Sequence, residues 1–145
     1  MDIRPLNASY AVSPQIHIDD LEAIRDAGYK MVIDNRPDAE IPDELHTAQM
    51  RAKAESLGLT FFANPVVGGA LTMENVEKQA EAIASAPGPI LAYCASGNRS
   101  SIVWALSQAG VYPTEELIAA GAQHGYQLAH LAPQIDAFAA AKSAR

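Results

Sequence analysis

The segment at residues 89–106 constrains the fold of this chain most strongly, because it sets the only cysteine between a predicted strand and a predicted helix. Residues 89–93 form an apolar run of strand length that ends at Cys94, and residues 102–106 are typical of a buried helix. A thiol at such a strand-to-helix turn faces converging backbone N–H groups and the positive end of the helix dipole. Both effects favour the thiolate and attract an anionic substrate.

Arg99 follows the cysteine by five positions and is spaced to close the same loop. Its guanidinium is a fixed cation with a planar fork of donors, which suits an oxyanion. The alternative is that Cys94 is an inert buried thiol, the common fate of a free cysteine. A preceding strand, Gly97 inside the loop and a following helix favour the functional interpretation. We therefore predict a nucleophilic Cys94 and a catalytic Arg99.

Strands and helices alternate along the rest of the chain. Strands are predicted at residues 10–12, 29–33 and 60–63 before the one that ends at Cys94. Such alternation predicts parallel strands joined by right-handed crossovers, hence a three-layer αβα domain over residues 1–145 with a mostly parallel, four-stranded sheet. A five-stranded sheet remains the alternative. Sites in open sheets lie beyond the carboxyl ends of the strands, so Cys94, Arg36 and the loop at residues 64–71 should share one edge.

Charge and composition exclude several partners. The formal charge of −7, with lysines scattered singly, argues against nucleic-acid or anionic-membrane binding. No apolar run is long enough to span a membrane, and the first residues do not resemble a signal peptide. His124 and His130 are spaced wrongly for a metal site, and no cofactor is expected. A single reactive thiol suits a reducing compartment, so we expect a cytoplasmic protein; the sequence leaves its oligomeric state open.

The motif Cys-x-x-Gly-x-Arg-Ser resembles the active-site loops of rhodanese-type sulfurtransferases and of cysteine-dependent phosphatases. Four residues separate Cys94 from Arg99, as in rhodaneses, whereas phosphatases have five. The wider pattern, at residues 12–15, 33–38, 64–66 and 93–100, is similar to a bacterial domain family associated with beta-lactamase-hydrolase-like proteins. That resemblance implies a fold like that of dual-specificity phosphatases. The predicted four strands favour this arrangement over the five-stranded rhodanese sheet.

Two features favour sulfur transfer over phosphate hydrolysis. The shorter loop makes a tighter ring of N–H groups, which suits a persulfide on Cys94. Dual-specificity phosphatases also carry an aspartate after the third strand as general acid, whereas residues 65–70 of this chain contain no carboxylate. Tyr93 further departs from the histidine that phosphatases have before the cysteine. We therefore expect a ping-pong sulfurtransferase that moves sulfur from thiosulfate or glutathione persulfide through Cys94 to a nucleophilic acceptor.

Two alternatives stay open: a phosphatase acting through a Cys94 phosphocysteine, and a persulfide or oxyanion sensor without turnover. The resemblance further implies a functional link to a persulfide dioxygenase in sulfide detoxification, and a Ser100 hydroxyl that donates to Cys94. Asp34 and Arg36 have either substrate-binding or structural roles. The predicted substrate-binding residues, around a small sulfur-containing anion, are Ala95, Ser96, Gly97, Asn98, Ser100 and Arg36.

Overall fold

Five strands form a single sheet in the computed structural model, which describes residues 1–143. They are β1 (Arg4–Asn7), β2 (Tyr10–Ser13), β3 (Met31–Asp34), β4 (Thr60–Ala63) and β5 (Ile90–Tyr93). Their order across the sheet is β1-β2-β5-β3-β4. Strands β2, β5, β3 and β4 run parallel, and β1 pairs antiparallel with β2. The mostly parallel sheet predicted from the sequence is therefore confirmed.

The strand count differs from the predicted four because of β1. This segment has four residues, of which only Leu6 is buried, so it shows no alternating pattern that could reveal a strand. It also contains Pro5, which lacks the N–H group of a sheet ladder and is tolerated because β1 lies at the sheet edge. The four parallel strands are those that the sequence pattern predicts.

In the described part of the chain, six α-helices cover the two faces of the sheet. They are α1 (Asp20–Asp26), α2 (Thr47–Ser56), α3 (Met73–Ser85), α4 (Asn98–Ser107), α5 (Thr114–Ala122) and α6 (Ala132–Ser143). None of the helices in residues 1–143 is long and apolar enough to cross a membrane. Helix α3 begins with a capping box in which the Thr72 hydroxyl accepts from the Asn75 N–H group and the Asn75 side chain accepts from the Thr72 N–H group.

Alternating side chains of the strands enter two separate cores. Val32 and Leu91 face α1 and α2, where Leu21 and Met50 are fully buried. Their neighbours Ile33 and Ala92 face α3 to α6 and pack in the same cluster as Trp104, which stacks on Tyr10 with ring centroids 5.8 Å apart. The helices therefore form two layers around the sheet, which confirms the predicted three-layer fold.

Hydrogen bonds tie the carboxyl ends of neighbouring strands to the start of the cysteine loop. The Gln15 N–H group after β2 donates to the Ala95 carbonyl at 3.3 Å, and the Asn35 N–H group after β3 donates to the Tyr93 carbonyl at 2.9 Å. The Asn64 N–H group after β4 donates to the Asp34 carbonyl at 2.9 Å. Four segments distant in sequence thus converge at one edge of the sheet.

Candidate active site

The loop between β5 and α4 surrounds the Cys94 sulfur. Cys94 is fully buried, and the Gly97 N–H group donates to its Sγ at 3.1 Å. Helix α4 begins at Asn98, so its N-terminal end adjoins the same loop. Backbone N–H groups and the helix dipole there favour negative charge on sulfur or on a bound anion. The predicted placement of Cys94 between a strand and a helix is therefore observed, and binding of an anion there stays a prediction.

Gly97 has a positive φ of 92°, a conformation that suits glycine. A Cβ atom at this position would overlap the Tyr126 hydroxyl. That hydroxyl donates to the Ser96 carbonyl at 2.8 Å and accepts from Arg4 Nη1 at 2.7 Å. Arg4 and Tyr126 therefore support the outer side of the loop. Sequence analysis missed both, because nothing in their local sequence indicates contact with a loop so far away in the chain.

The Arg99 guanidinium is held in place by three hydrogen bonds. Its Nη1 and Nη2 donate to the two carboxylate oxygens of Glu40, each at 2.7 Å, and Nη1 also donates to the Val66 carbonyl at 2.7 Å. The Glu40 carboxylate is the main reason that the pKa of Arg99 is raised, and the nearby Cys94 adds to the effect. A guanidinium has five N–H donors, so these three bonds leave two others, and the group lies close enough to Cys94 to hydrogen bond with its sulfur.

Arg36 reaches the same place through Glu40. Its Nε donates to Glu40 Oε1 at 3.2 Å and its Nη1 to Gln15 Oε1 at 3.1 Å. Hydrogen bonds from Arg99, and then from Arg36, lower the pKa of Glu40. Arg36 thus lies at the predicted edge, and its described contacts support the loop arginine indirectly. Sequence analysis assigned no role to Glu40, although an acidic residue in the segment after β3 was a usable signal.

The side chain of Ser100 does not donate to Cys94 as expected. Its hydroxyl donates to Asn35 Oδ1 at 2.9 Å, because the Asn35 amide lies at the end of β3 with an acceptor free for it. The Asn35 amide nitrogen in turn donates to Gln79 Oε1 at 3.0 Å, and Gln79 Nε2 donates to the Tyr10 hydroxyl at 2.8 Å. Asn64 Nδ2 donates to the same Gln79 oxygen at 2.9 Å. All five side chains are buried, so they form a connected polar network under the loop.

The hydrogen bonds of Asp34 indicate a structural role. Its carboxylate accepts from the Arg36 N–H group and from the Thr47 hydroxyl, both at 2.9 Å, and so faces α2. Burial raises the pKa of this carboxyl. Tyr93 packs in the core between the sheet and helices α1 and α2, and its buried hydroxyl interacts with the Asp34 carboxylate. Neither side chain belongs to the core that contains α4.

The remaining predicted substrate-binding residues lie in the loop after Cys94, and their role stays a prediction. Ala95, Ser96 and Asn98 are exposed at the loop surface, and the Asn98 N–H group donates to Ser96 Oγ at 3.2 Å. Glu40 is the one carboxylate of the described residues bonded to Arg99, and its two arginine partners keep it ionised. It is therefore a poor proton donor. Within residues 1–143 no three His, Cys, Asp or Glu side chains cluster as a metal site.

A thiol at the end of a central parallel strand, followed by a glycine-containing loop, an arginine and a helix N-terminus, defines a cysteine-phosphatase-like α/β protein. Residues 2–111 match the family described as "Beta-lactamase hydrolase-like protein, phosphatase-like domain". The chain belongs to this family, which confirms the resemblance noted in its sequence.

Known relatives agree with this assignment. A beta-lactamase hydrolase-like protein of Xylella fastidiosa (strain Temecula1) is 32% identical over 130 residues, which cover 88% of this chain and 30% of that protein. The chain thus spans less than a third of the length of this relative. The crystal structure of a candidate phosphatase from Neisseria meningitidis Z2491 is 32% identical, with a TM-score of 0.79 and coverage of 95% and 99% of the two chains.

A more distant structure shares the fold alone. PTPMT1 superposes with a TM-score of 0.77 at 17% identity, covering 99% of this chain and 98% of its own. The family description and the Neisseria structure favour the phosphatase alternative over the sulfurtransferase that the sequence predicted first. They lend no support to persulfide chemistry or sulfide detoxification. What they support is a phosphatase-like protein with a cysteine nucleophile.

Proposed function

We propose that this domain is a cysteine-dependent phosphatase that acts on phosphate monoesters through a Cys94 phosphocysteine. The pairing of the Cys94 sulfur with the Gly97 N–H donor and with the open donors of Arg99 carries the proposal. In the first step the thiolate attacks phosphorus, an S–P bond forms and the P–O bond to the leaving group breaks. In the second step water attacks phosphorus, which releases phosphate and restores the thiol.

Electrostatic stabilisation is assigned to the loop and to Arg99. Phosphoryl transfer spreads negative charge over three equatorial oxygens, so it depends mainly on positioned donors. The N–H groups of residues 95–99 and the helix N-terminus supply part of these donors. Arg99 supplies the rest, because Glu40 and Val66 fix the plane of its guanidinium while leaving two N–H groups for the phosphate. Arg36 contributes by donating to Glu40 Oε1, the oxygen that also accepts from Arg99 Nη2.

The chemistry of the site restricts the leaving group. Residues 64–72 contain no carboxyl group, and Glu40 is kept ionised by two arginines. A leaving group that needs a proton from the enzyme is therefore poorly served. We propose that the preferred substrates are monoesters of acidic alcohols, above all aryl phosphates, whose phenolate departs without protonation.

Sulfur transfer is the second candidate, favoured by one observation: only four residues lie between Cys94 and Arg99, and no general acid accompanies them. Sulfite and thiolates leave without a proton, so a Cys94 persulfide could form from thiosulfate or from a small persulfide with the same residues. A coupled persulfide dioxygenase would belong to this candidate. For either chemistry a single reduced thiol suits the cytoplasm, which we propose as the location.

Intact-protein mass spectrometry distinguishes these functions. The protein is mixed with p-nitrophenyl phosphate and quenched rapidly, and separately with thiosulfate, in wild type and in Cys94→Ser. A phosphoryl adduct on wild type alone, together with steady release of p-nitrophenol, is expected. A sulfur adduct that sulfite or cyanide removes, without a phosphoryl adduct, would instead establish sulfur transfer. Binding of these anions without turnover of either would instead indicate a persulfide or oxyanion sensor.

The role of Arg99 is tested in the same assay with two variants that each replace an arginine by lysine and so conserve the charge. Arg99→Lys keeps the charge but loses the planar fork, so we expect kcat/KM for p-nitrophenyl phosphate to fall by about 100-fold. Arg51→Lys is the control, because Arg51 lies over the Phe61 ring on the opposite layer, 5.4 Å from its centroid. Equal activity of the two variants would contradict a role for Arg99 in binding the phosphate.

A further inference from the structure

An apolar groove opens beside Arg99 on the α3–α6 face of the sheet. It encloses about 690 Å³, a volume in the range of small-molecule sites. Its walls come from the segment after β4, from α4 and from α6. Its principal apolar lining residues are Val67, Met73, Ile102, Leu106, Phe138 and Ala141. No established role accounts for this groove.

The rim of the groove exposes large apolar side chains. Val67 is 55% exposed and Met73 is 51% exposed, and they are two of only four large apolar side chains exposed within residues 1–143. Both line the groove, whereas Val111 and Met1 do not. Exposed apolar side chains gathered around a concave surface indicate a binding site. On the opposite wall Ala137 and Ala141, one helical turn apart on α6, leave the space open.

The groove runs from the catalytic loop along α4. Arg99, Ile102 and Leu106 all line it, and their spacing of three and four places them on one face of that helix. A rise of 1.5 Å per residue puts Leu106 about 10 Å from Arg99 along the axis. Val66 joins the other side of the groove to Arg99 through its carbonyl, which accepts from Nη1. Among its described lining residues, Arg99 is the only one that carries a charge.

We propose that this groove binds the apolar part of the substrate while its phosphate lies at Cys94. The inference rests on the proposed phosphatase function and names the substrate class: an amphiphilic monoester of an acidic alcohol, with one anionic end and an extended apolar end. Charge complementarity selects the orientation, because Arg99 lies close enough to Cys94 to interact with its sulfur, and the rest of the described groove wall is uncharged. An apolar group in the groove would be anchored by the anion at Arg99 and stabilised by removal of its surface from water.

Binding of n-alkylphosphonates to the Cys94→Ser protein tests the proposal independently of turnover. Ethyl-, butyl-, hexyl- and octylphosphonate are titrated by calorimetry below their micellar concentrations. Half-burial of each added CH₂ group in an open groove corresponds to about a twofold gain in affinity, hence about 60-fold from ethyl to octyl. Octanol, which has the chain without the anion, should bind at least tenfold more weakly than octylphosphonate.

Substitutions in the groove test whether the alkyl chain of the phosphonate binds there. Ala137→Phe adds a ring to an exposed position of α6 that lines the groove, so affinity should no longer increase with alkyl-chain length. Thermal unfolding checks that the variant is folded. Val67→Ser removes an exposed apolar wall and should reduce the octyl-to-ethyl ratio by several-fold. Val111→Ser is the matched control, because Val111 is 60% exposed and lies outside the groove; it should keep the full series.

Four results would overturn the proposal. The first is an affinity that does not depend on alkyl-chain length, and the second is a dependence on chain length that stays unchanged in both groove variants. The third is octanol binding as tight as that of octylphosphonate. The fourth is a dimer in sedimentation that Val67→Ser dissociates, since a second copy of the protein would then fill the groove. Failure of the proposed function looks different. In that case wild type releases no p-nitrophenol, while the chain-length series and its loss in Ala137→Phe persist.

Discussion

At the residue scale, Gly97 controls the shape of the catalytic loop. Its φ of 92° and the adjacent Tyr126 hydroxyl both exclude a side chain. We expect Gly97→Ala to lower stability by about 2–4 kcal/mol, from backbone strain plus overlap. Displacement of the loop should also lower kcat/KM for p-nitrophenyl phosphate by about 100-fold.

Gly28→Ala is the matched control for that substitution. Gly28 has a φ of 101°, but a Cβ atom there would meet no atom within 4 Å. The control should therefore show the strain alone, about 1 kcal/mol, with full activity. Urea unfolding and initial rates measure both variants. Equal losses in the two would show that the Tyr126 contact does not shape the loop.

Loss of Glu40 should show how much the orientation of the Arg99 guanidinium, as distinct from its charge, contributes to activity. Its carboxylate accepts hydrogen bonds from both Nη1 and Nη2 of Arg99. Such bidentate pairs fix the orientation of the guanidinium as well as contributing energy. We expect Glu40→Ala to lower kcat/KM for p-nitrophenyl phosphate by about tenfold without loss of folding. Glu44→Ala, an exposed glutamate of the same segment, should behave as wild type. Unchanged kinetics in Glu40→Ala would mean that the Val66 carbonyl alone orients Arg99.

Sequence alone located the residues to which we assign the chemistry and missed those that hold them in place. Cys94 and Arg99 were predictable because strand, turn and helix signals surround them within a dozen residues. Glu40 and Tyr126 were not, since each meets the loop through a contact 30 or more residues away in the chain. The expected Ser100–Cys94 bond was wrong for the same reason, because the competing acceptor, Asn35, comes from a different strand.

At the element scale, α3 is joined to the loop by a buried amide. Gln79 lies on the inward face of α3 between Val76 and Ala82 and hydrogen bonds to side chains on β2 and after β3 and β4. Gln79→Leu would leave Asn35, Asn64 and Tyr10 short of partners in a buried site. We expect a loss of about 2–4 kcal/mol in the free energy of unfolding, measured in urea.

The same variant should also affect activity, since Asn35 is the acceptor for Ser100 at the start of α4. Gln49→Leu, an exposed glutamine on α2, is the control and should change the free energy of unfolding by less than about 0.5 kcal/mol. A Gln79→Leu protein as stable as this control would show that the network contributes nothing to stability.

The elements themselves were largely predictable, and the exceptions have physical causes. Strand β4 and the start of α3 follow directly from a β-branched and aromatic run and from the Thr72 cap. Helix α2 begins at Thr47 and does not include the acidic segment before it, because residues Asp43–Leu45 form a separate 3-10 turn and His46 has extended backbone angles. Strand β1 escaped notice because pairing with β2, rather than a pattern of its own, makes it a strand.

At the scale of the whole molecule, two carboxyl groups should give opposite pH dependences of stability. Burial raises the pKa of Asp34 above its ordinary value of 3.8, so the folded state binds that proton more tightly than the unfolded state does. The contribution of Asp34 to the free energy of unfolding therefore falls as the pH rises from about 3.8 through the folded-state pKa. Asp34→Asn removes this titration while keeping an acceptor for the Arg36 N–H group.

Glu40 should act in the other direction. Arg99 and Arg36 lower its pKa below the ordinary 4.5, so its contribution is present above that pH and is lost as the pH falls through the folded-state pKa. Urea unfolding of wild type, Asp34→Asn and Glu40→Gln from about pH 3.5 to 8 gives two difference profiles, each wild type minus variant. The Asp34 profile should decline with rising pH and the Glu40 profile should climb. Two profiles of the same slope would mean that burial does not dominate the environment of Asp34, and that its bonds to Thr47 and the Arg36 N–H group stabilise the charged form instead.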